Sequence, residues 1–310
     1  MNRAATDRAL GKARRGVLAA RRGEGPHIKA FFDEKTFTVS YVVSDPRTSA
    51  CAIIDSVLDF DAVTGRTSSV SADRILDYVA EQALTVEWLL ETHAHADHLS
   101  AAPYIRAKAG GRLAIGRDIV KVQATFDPLF NAVTTLRAER AVFDRLFEDG
   151  DSFSIGGMEV IALSVRGHTP ADMAYVVGDA VFIGDTLFMP DFGTARTDFP
   201  GGDPHELFIS IQRLLSLPGA TRLFLCHDYK APGRDRFAWE TTVAAQRATN
   251  IHVHDGVTEE AFVSMRRARD LTLSMPNLLI PSIQVNIRGG QLPEAEANGI
   301  RYLKIPLDRL

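Results

Sequence analysis

Apolar and polar positions alternate along the chain in two periods, which divide it into short strands and amphipathic helices. Thr36–Val43 and Ala50–Ile54 are β-rich runs, with the turn signal Asp45-Pro46-Arg47 between them. Ile75, Leu76, Val79 and Ala80 recur at helical spacing, predicting a helix that Asp73 caps and that runs to Leu84. Strand Val86–Leu90 follows, then a helix near Leu99–Ala109 closed by Gly110-Gly111. A strand at Leu113–Ile115 precedes a longer helical region reaching Phe147. Met158–Val165, Met173–Val177 and Ala180–Ile183 read as strands. Asp203-Pro204 offers a cap and a first-turn proline to a helix with Leu207, Phe208, Ile211, Leu214 and Leu215 on one face. Leu223–Leu225 is a strand, and a final helix starts at Thr258 and stops before Pro276. Several strands are adjacent hairpin partners, so the pattern predicts an α/β protein with a mixed sheet, or two sheets, and helices outside.

Composition narrows the classes. With 45% hydrophobic residues among 310, the chain can bury a core, which excludes disorder as its dominant state. No apolar run approaches the roughly 18–20 residues of a membrane span. A net charge of −4 is no footprint for a polyanion, so neither nucleic acid nor a membrane is expected as partner. The only cysteines, Cys51 and Cys226, allow at most one bridge and fit a reducing cytoplasm. Residues 1–26 stand apart: up to Arg22 they hold seven basic residues against one acid, Asp7. They are read as a solvated, partly helical basic arm, a transit peptide being the alternative. Residues 27–310 are read as one catalytic domain with a C-terminal extension from about 250.

The chemistry concentrates in Thr92-His93-Ala94-His95-Ala96-Asp97-His98, directly after an apolar strand. Imidazole and carboxylate donors so close together suit zinc, iron or manganese. His168 follows the strand ending at Val165, Asp185 follows Phe182-Ile183-Gly184, and His227 follows Leu223–Leu225. Donors collected at strand ends along one sheet edge make a metal cleft. His27, His205, His252 and His254 lack that context and are assigned surface or structural roles. Cys226 reads as a packed thiol.

These motifs, with Gly167-His168-Thr169-Pro170 and Gly184-Asp185, resemble the metallo-β-lactamase superfamily, which implies an αββα sandwich of two mixed sheets flanked by helices. Gly184–Phe188, Gly193 with Arg196–Phe199, His227-Asp228-Tyr229 and the tail Pro281–Gly290 are similar to the persulfide dioxygenase branch, and to the lactamase-like domain of bacterial β-lactamase hydrolase-like proteins. That resemblance implies one Fe(II) per chain held by His93, His168 and Asp185, a 2-His-1-carboxylate set with open positions. His95, Asp97, His98 and His227 would then support the ligands or hold a second metal. Tyr229, Arg196 and Arg288 would contact the substrate, with Arg196 alternatively bracing its loop against Asp198 and Arg288 alternatively an interface or turn residue. The implied reaction converts glutathione persulfide, or a similar low-molecular-weight persulfide, with O2 and water into sulfite and the thiol, here glutathione, and the family's tendency to self-associate implies a homo-oligomer.

The nearest rival is a two-zinc glutathione thioester hydrolase of the glyoxalase II type, because the ligand set of such enzymes is complete here. A persulfide or metal sensor on a retained fold has no physical need of seven metal-binding residues. A nuclease lacks the basic surface it would require.

Overall fold

The structure, a computed structural model, describes residues 3–20, 25–131 and 142–309. The first half runs α1 (Arg3–Ala20), β1 (His27–Asp33), β2 (Thr38–Ser44), β3 (Ala50–Ile54), β4 (Val57–Asp61), β5 (Arg66–Ser68), α2 (Val70–Glu81), β6 (Thr85–Leu90), β7 (Leu99–Ser100), α3 (Ala102–Ala109), β8 (Arg112–Gly116) and α4 (Ile119–Phe130). The second continues with β9 (Arg145–Phe147), β10 (Ser152–Ile155), β11 (Met158–Ser164), β12 (Met173–Val177), β13 (Ala180–Phe182), α5 (Pro204–Leu215), β14 (Arg222–Phe224), β15 (Glu240–Thr242), α6 (Val243–Thr249), α7 (Glu259–Asp270) and α8 (Leu279–Asn286).

Among the described residues the strands form two mixed six-stranded sheets, ordered β1-β2-β3-β6-β8-β9 and β10-β11-β12-β13-β14-β15, with a small third sheet β5-β4-β7. Strand periodicity explains the layers. Tyr41, Val43, Trp88 and Leu90 face the second sheet, where Phe153, Tyr175, Val177 and Phe182 complete the inner core. Their neighbours Val42, Ile53 and Leu89 face outward and pack with Ile75, Ile105, Phe126 and Ile283. On the other outer face, Ile161, Leu163 and Val176 pack with Leu207, Ile211, Leu214 and Phe262. β2 and β3 are buried at every position because both their faces are covered. The αββα sandwich expected from the sequence is the architecture found.

Several local expectations change. The basic N-terminal stretch is helical, yet it is not solvated on all sides. Ala9, Ala13 and Val17, four residues apart, form a buried stripe against the second sheet, while Lys12 reaches Glu159 at 3.0 Å. Charge count alone hid that stripe. The helix expected after Asp73 starts earlier, at Val70, and Asp73 instead accepts from Ser69 Oγ and Tyr104 Oη inside its first turn. Leu99–Ser100 is a strand, so α3 begins at Ala102. The long helix expected up to Phe147 ends at Phe130, where Asn131 adopts a left-handed cap, and Arg145–Phe147 is a strand; the positions between 132 and 141 lie outside the described residues. Helix α8 follows what was expected to be the last helix.

The pairing explains why the ligand loops converge. β11 and β13 are both antiparallel to β12, and β14 is parallel to β13, so all three end at one edge. In the first sheet β3 and β6 are parallel, and antiparallel β2 starts where β3 ends. Val39 N donates to Cys226 O at 2.7 Å, and Tyr41 Oη donates to Leu225 O at 2.6 Å. These bonds tie the start of β2 to the exit of β14, so the loops leaving β6, β11, β13 and β14 meet.

Candidate metal centre

Four loops bring their donors into one buried cluster. His93, His95, His98 and His227 are each at most 1% exposed, and His168 and Asp185 remain below 9%. Donor atoms of His93, His168 and Asp185 lie within 4.8 Å of one another. His168 Nε2 stands 3.7 Å from Asp185 Oδ2. Beside them, His227 Nε2 lies 3.4 Å from Asp97 Oδ2 and 3.5 Å from Asp185 Oδ1. His95, Asp97 and His98 form a further close set. A close approach makes the packing feasible: Gly184 has φ +52°, and a Cβ there would stand 2.7 Å from Thr92 Oγ1.

Asp55, which sequence analysis missed, organises the base of the site. Its carboxylate accepts from Thr92 N at 2.7 Å and Thr92 Oγ1 at 2.8 Å, and lies 3.0 Å from His95 Nε2. Glu91 Oε2 stands 3.4 Å from the same ring nitrogen. Burial alone would lower the His95 pKa, but the Asp55 carboxylate and Glu91 outweigh it and hold the ring well above its ordinary value. His93 behaves oppositely. Burial, then the neighbouring His95 and His168, push it well below 6.5, so its ring is neutral and keeps a lone pair. A local signal for Asp55 existed: it ends an apolar strand run, as Asp185 does.

The donor chemistry fits a cation. His93 Nε2, His95 Nδ1, His98 Nε2, His227 Nε2 and Asp185 Oδ1 are all buried without a hydrogen-bond partner. Buried polar atoms left unpaired are costly, and five converging in one place are explained by a cation, which binds in competition with the proton that Asp55 and Glu91 favour on His95.

Above the cluster opens a cleft of about 550 Å3, with Asp97, His168 and Asp185 at its base and Phe37, Phe188, Phe192 and Tyr229 on its walls. Tyr229 stacks on His227, with centroids 5.5 Å apart. Arg196 lines the cleft but forks onto Asp198 and donates to Ser274 O at 2.8 Å, the bracing role considered for it. Arg288 is not in this cleft. It lines a separate hollow with Gln284, Tyr302 and Lys304. Exposed Lys35 and Arg269, which sequence analysis did not single out, face the cleft instead. Both cysteines are unbridged and buried, and Cys226 Sγ packs 3.7 Å from Asp55 Oδ2.

The profile of the metallo-β-lactamase superfamily matches residues 34–227, which carry all seven donors. The chain belongs to the metallo-β-lactamase superfamily. It is 54% identical over 285 residues to a β-lactamase hydrolase-like protein of Agrobacterium fabrum, covering 92% of this chain and 65% of that one, so it spans about two thirds of that relative's length. A Dictyostelium discoideum protein named glyoxylase B2 is 46% identical over 91% of this chain and 97% of its own. The mitochondrial persulfide dioxygenase ETHE1 of Bos taurus is 27% identical over 65% of this chain and 68% of its own. Among solved structures, ETHE1 from Myxococcus xanthus superposes with a TM-score of 0.68 at 28% identity, covering 86% of this chain and all of that one. The superfamily's fold is the two-sheet sandwich described above, and the His/Asp cluster is its metal-binding site. These relatives support the persulfide dioxygenase branch. Among the described residues no helix is long and apolar enough to cross a membrane.

Proposed function

We propose that the chain is a persulfide dioxygenase, taking glutathione persulfide, O2 and water to sulfite and glutathione. One observation carries this reading: two histidines and one carboxylate, His93, His168 and Asp185, gather their donor atoms within 4.8 Å at the base of the cleft. Such a 2-His-1-carboxylate set is the donor pattern of non-haem Fe(II) oxygenases. The resemblance to ETHE1 proteins adds support.

His93, His168 and Asp185 would hold one Fe(II), which when bound supplies dioxygen activation and affinity for a sulfane sulfur. The protein's own work is orientation. The Arg196 carbonyl accepts from His168 Nδ1 at 2.8 Å, and Thr92 Oγ1 lies 2.9 Å from His93 Nδ1, so each ring keeps Nε2 for the cation. Aromatic side chains line the walls, while Lys35 and Arg269 place positive charge on the lining of the cleft, where an anionic thiol carrier would bind.

A second reading, a two-zinc glutathione thioester hydrolase, is favoured by the completeness of the second donor set. His227 adjoins Asp185 and Asp97, Asp97 adjoins His98, and both imidazoles keep an unpartnered Nε2. The likeness to glyoxylase B2 points the same way. The test is O2 uptake by anaerobically purified, Fe(II)-loaded protein given glutathione persulfide, with metal per chain measured on the same sample. Rapid uptake with sulfite release and about one iron per chain is expected. No uptake, two tightly bound zincs and hydrolysis of S-lactoylglutathione would replace the dioxygenase with the hydrolase.

A further inference from the structure

We infer that Asn286, the last residue of α8, is a positioning residue for the metal centre: its side-chain amide holds the backbone of the His93–His98 loop in the shape that turns its ring nitrogens toward a cation. The inference rests on the site holding a metal ion and not on which reaction that ion serves.

The loop places four donor side chains within six residues, a course that neither a helix nor a sheet ladder can follow. Its carbonyls therefore need partners from elsewhere. Asn286 supplies them. Its Nδ2 donates to His95 O at 2.8 Å and to His98 O at 2.7 Å, and its Oδ1 accepts from Ser100 N at 2.8 Å. Both amide protons and the carbonyl oxygen are thus engaged, and the side chain is 5% exposed. The contact reaches the ring of His95 by a second route. Ser100 Oγ donates to Glu91 Oε1, and the other Glu91 oxygen stands 3.4 Å from His95 Nε2.

Helix α8 is seated by an apolar core that extends well beyond this loop, although Ala94 and Ala96 of the loop belong to it. Leu279, Ile283 and Ile287 pack into the apolar cluster with Val122 and Phe126, and Gln123 Nε2 donates to Ile287 O at 2.8 Å. At Gly290, with φ +83°, a Cβ would stand 2.7 Å from Ser100 O. Apolar packing thus holds α8 beside the loop, and Asn286 supplies the polar ties that set the loop's carbonyls. Gln284, two residues earlier, offers the contrast. It bonds Ile280 O, Lys304 O and Lys304 N, tying the C-terminal segment and not the loop.

The test compares wild type, Asn286→Ala, Asn286→Asp and Gln284→Ala as full, metal-stripped chains. Dissociation constants for Zn(II), and for Fe(II) under anaerobic conditions, are read by competition with a chromophoric chelator, beside thermal melts of the metal-free proteins. The expected result is a loss of about 10- to 100-fold in metal affinity for both Asn286 variants, with affinity unchanged in Gln284→Ala. Folded Asn286 variants that bind metal like wild type would overturn the inference. A wild-type chain that binds neither metal would instead overturn the metal reading, and the inference with it. If the Asn286 variants do not fold, hydrogen exchange on wild type decides. Coupling is reciprocal, so metal must slow exchange of the Ser100 amide and the α8 amides together. Protection confined to residues 92–98 would count against it.

Discussion

The main-chain carbonyl of Arg196 accepts a hydrogen bond from Nδ1 of His168 at 2.8 Å, and His168 therefore turns Nε2 toward Asp185. The carbonyl can only accept, so the proton sits on Nδ1. The orientation of one donor thus depends on the strap 194–198, and that strap is pinned from α7. Thr197 N and Oγ1 donate to Asp270 Oδ2, Arg266 Nη1 donates to Thr194 O, and Arg266 pairs with Asp270 at 2.7 Å.

Asp270→Asn leaves the Arg266 guanidinium, 0% exposed, without its carboxylate. Losing one partner of a buried pair costs about 3–5 kcal/mol. Urea denaturation of the metal-free protein should show a loss of that size. A loss near zero would mean that water already serves Arg266.

His252 pins the same strap from the other side, its Nδ1 accepting from Thr194 N at 3.0 Å. Burial, then the charges of Arg266 and Arg269, lower its pKa from 6.5 to about 4. The folded protein therefore refuses a proton that the unfolded chain takes up near pH 6.5. This contribution to stability is complete above pH 6.5 and declines as pH falls toward 4. Urea midpoints measured across that window should fall more steeply for wild type than for His252→Gln.

Lys35 and Arg269 face the cleft, whereas Arg288 lines a different hollow. Lys35→Ala and Arg269→Ala are each expected to raise KM for a glutathione-linked substrate by about tenfold, equivalent to about 1.4 kcal/mol, with kcat little changed. Arg288→Ala should leave KM unchanged in the same steady-state assay. A reversed ranking would place the anion site in the hollow lined by Arg288.

Burial, with Glu87 adding to it, pushes the Cys51 thiol up to about 12, and burial raises Cys226 as well. Neither forms thiolate at pH 8, so alkylation of the folded protein should be slow at both and become fast in denaturant. Mass spectrometry of time-resolved labelling reads this directly. Rapid native labelling of Cys226 would contradict its assignment as a packed thiol.

The sandwich was legible because β3 and β12 are apolar at every position, β2 carries Val39, Tyr41, Val42 and Val43, and α5 carries its cap, its proline and its apolar face in order. The seven donors were legible because each follows a strand. What escaped was what depends on distance. Asn286 meets His95 across 191 residues, and nothing local in an asparagine distinguishes that contact from a surface amide. Arg288, read through its motif as a substrate contact or a turn residue, follows α8 and lines a hollow other than the cleft. The α1 stripe of Ala9, Ala13 and Val17 is made of small residues, whose weak apolar signal was outweighed by the basic residues between them.

The donors come from both sheets: His93 leaves β6 in one, while His168, Asp185 and His227 leave strands of the other. A cation seated among them acts as a rivet through the sandwich, in parallel with the Val39–Cys226 hydrogen bond. Sliding one sheet over the other would stretch every coordination distance at once. Loss of the ion would loosen the sandwich at this edge alone, and a chelator should lower the melting temperature while the apolar inner core still holds the two sheets together.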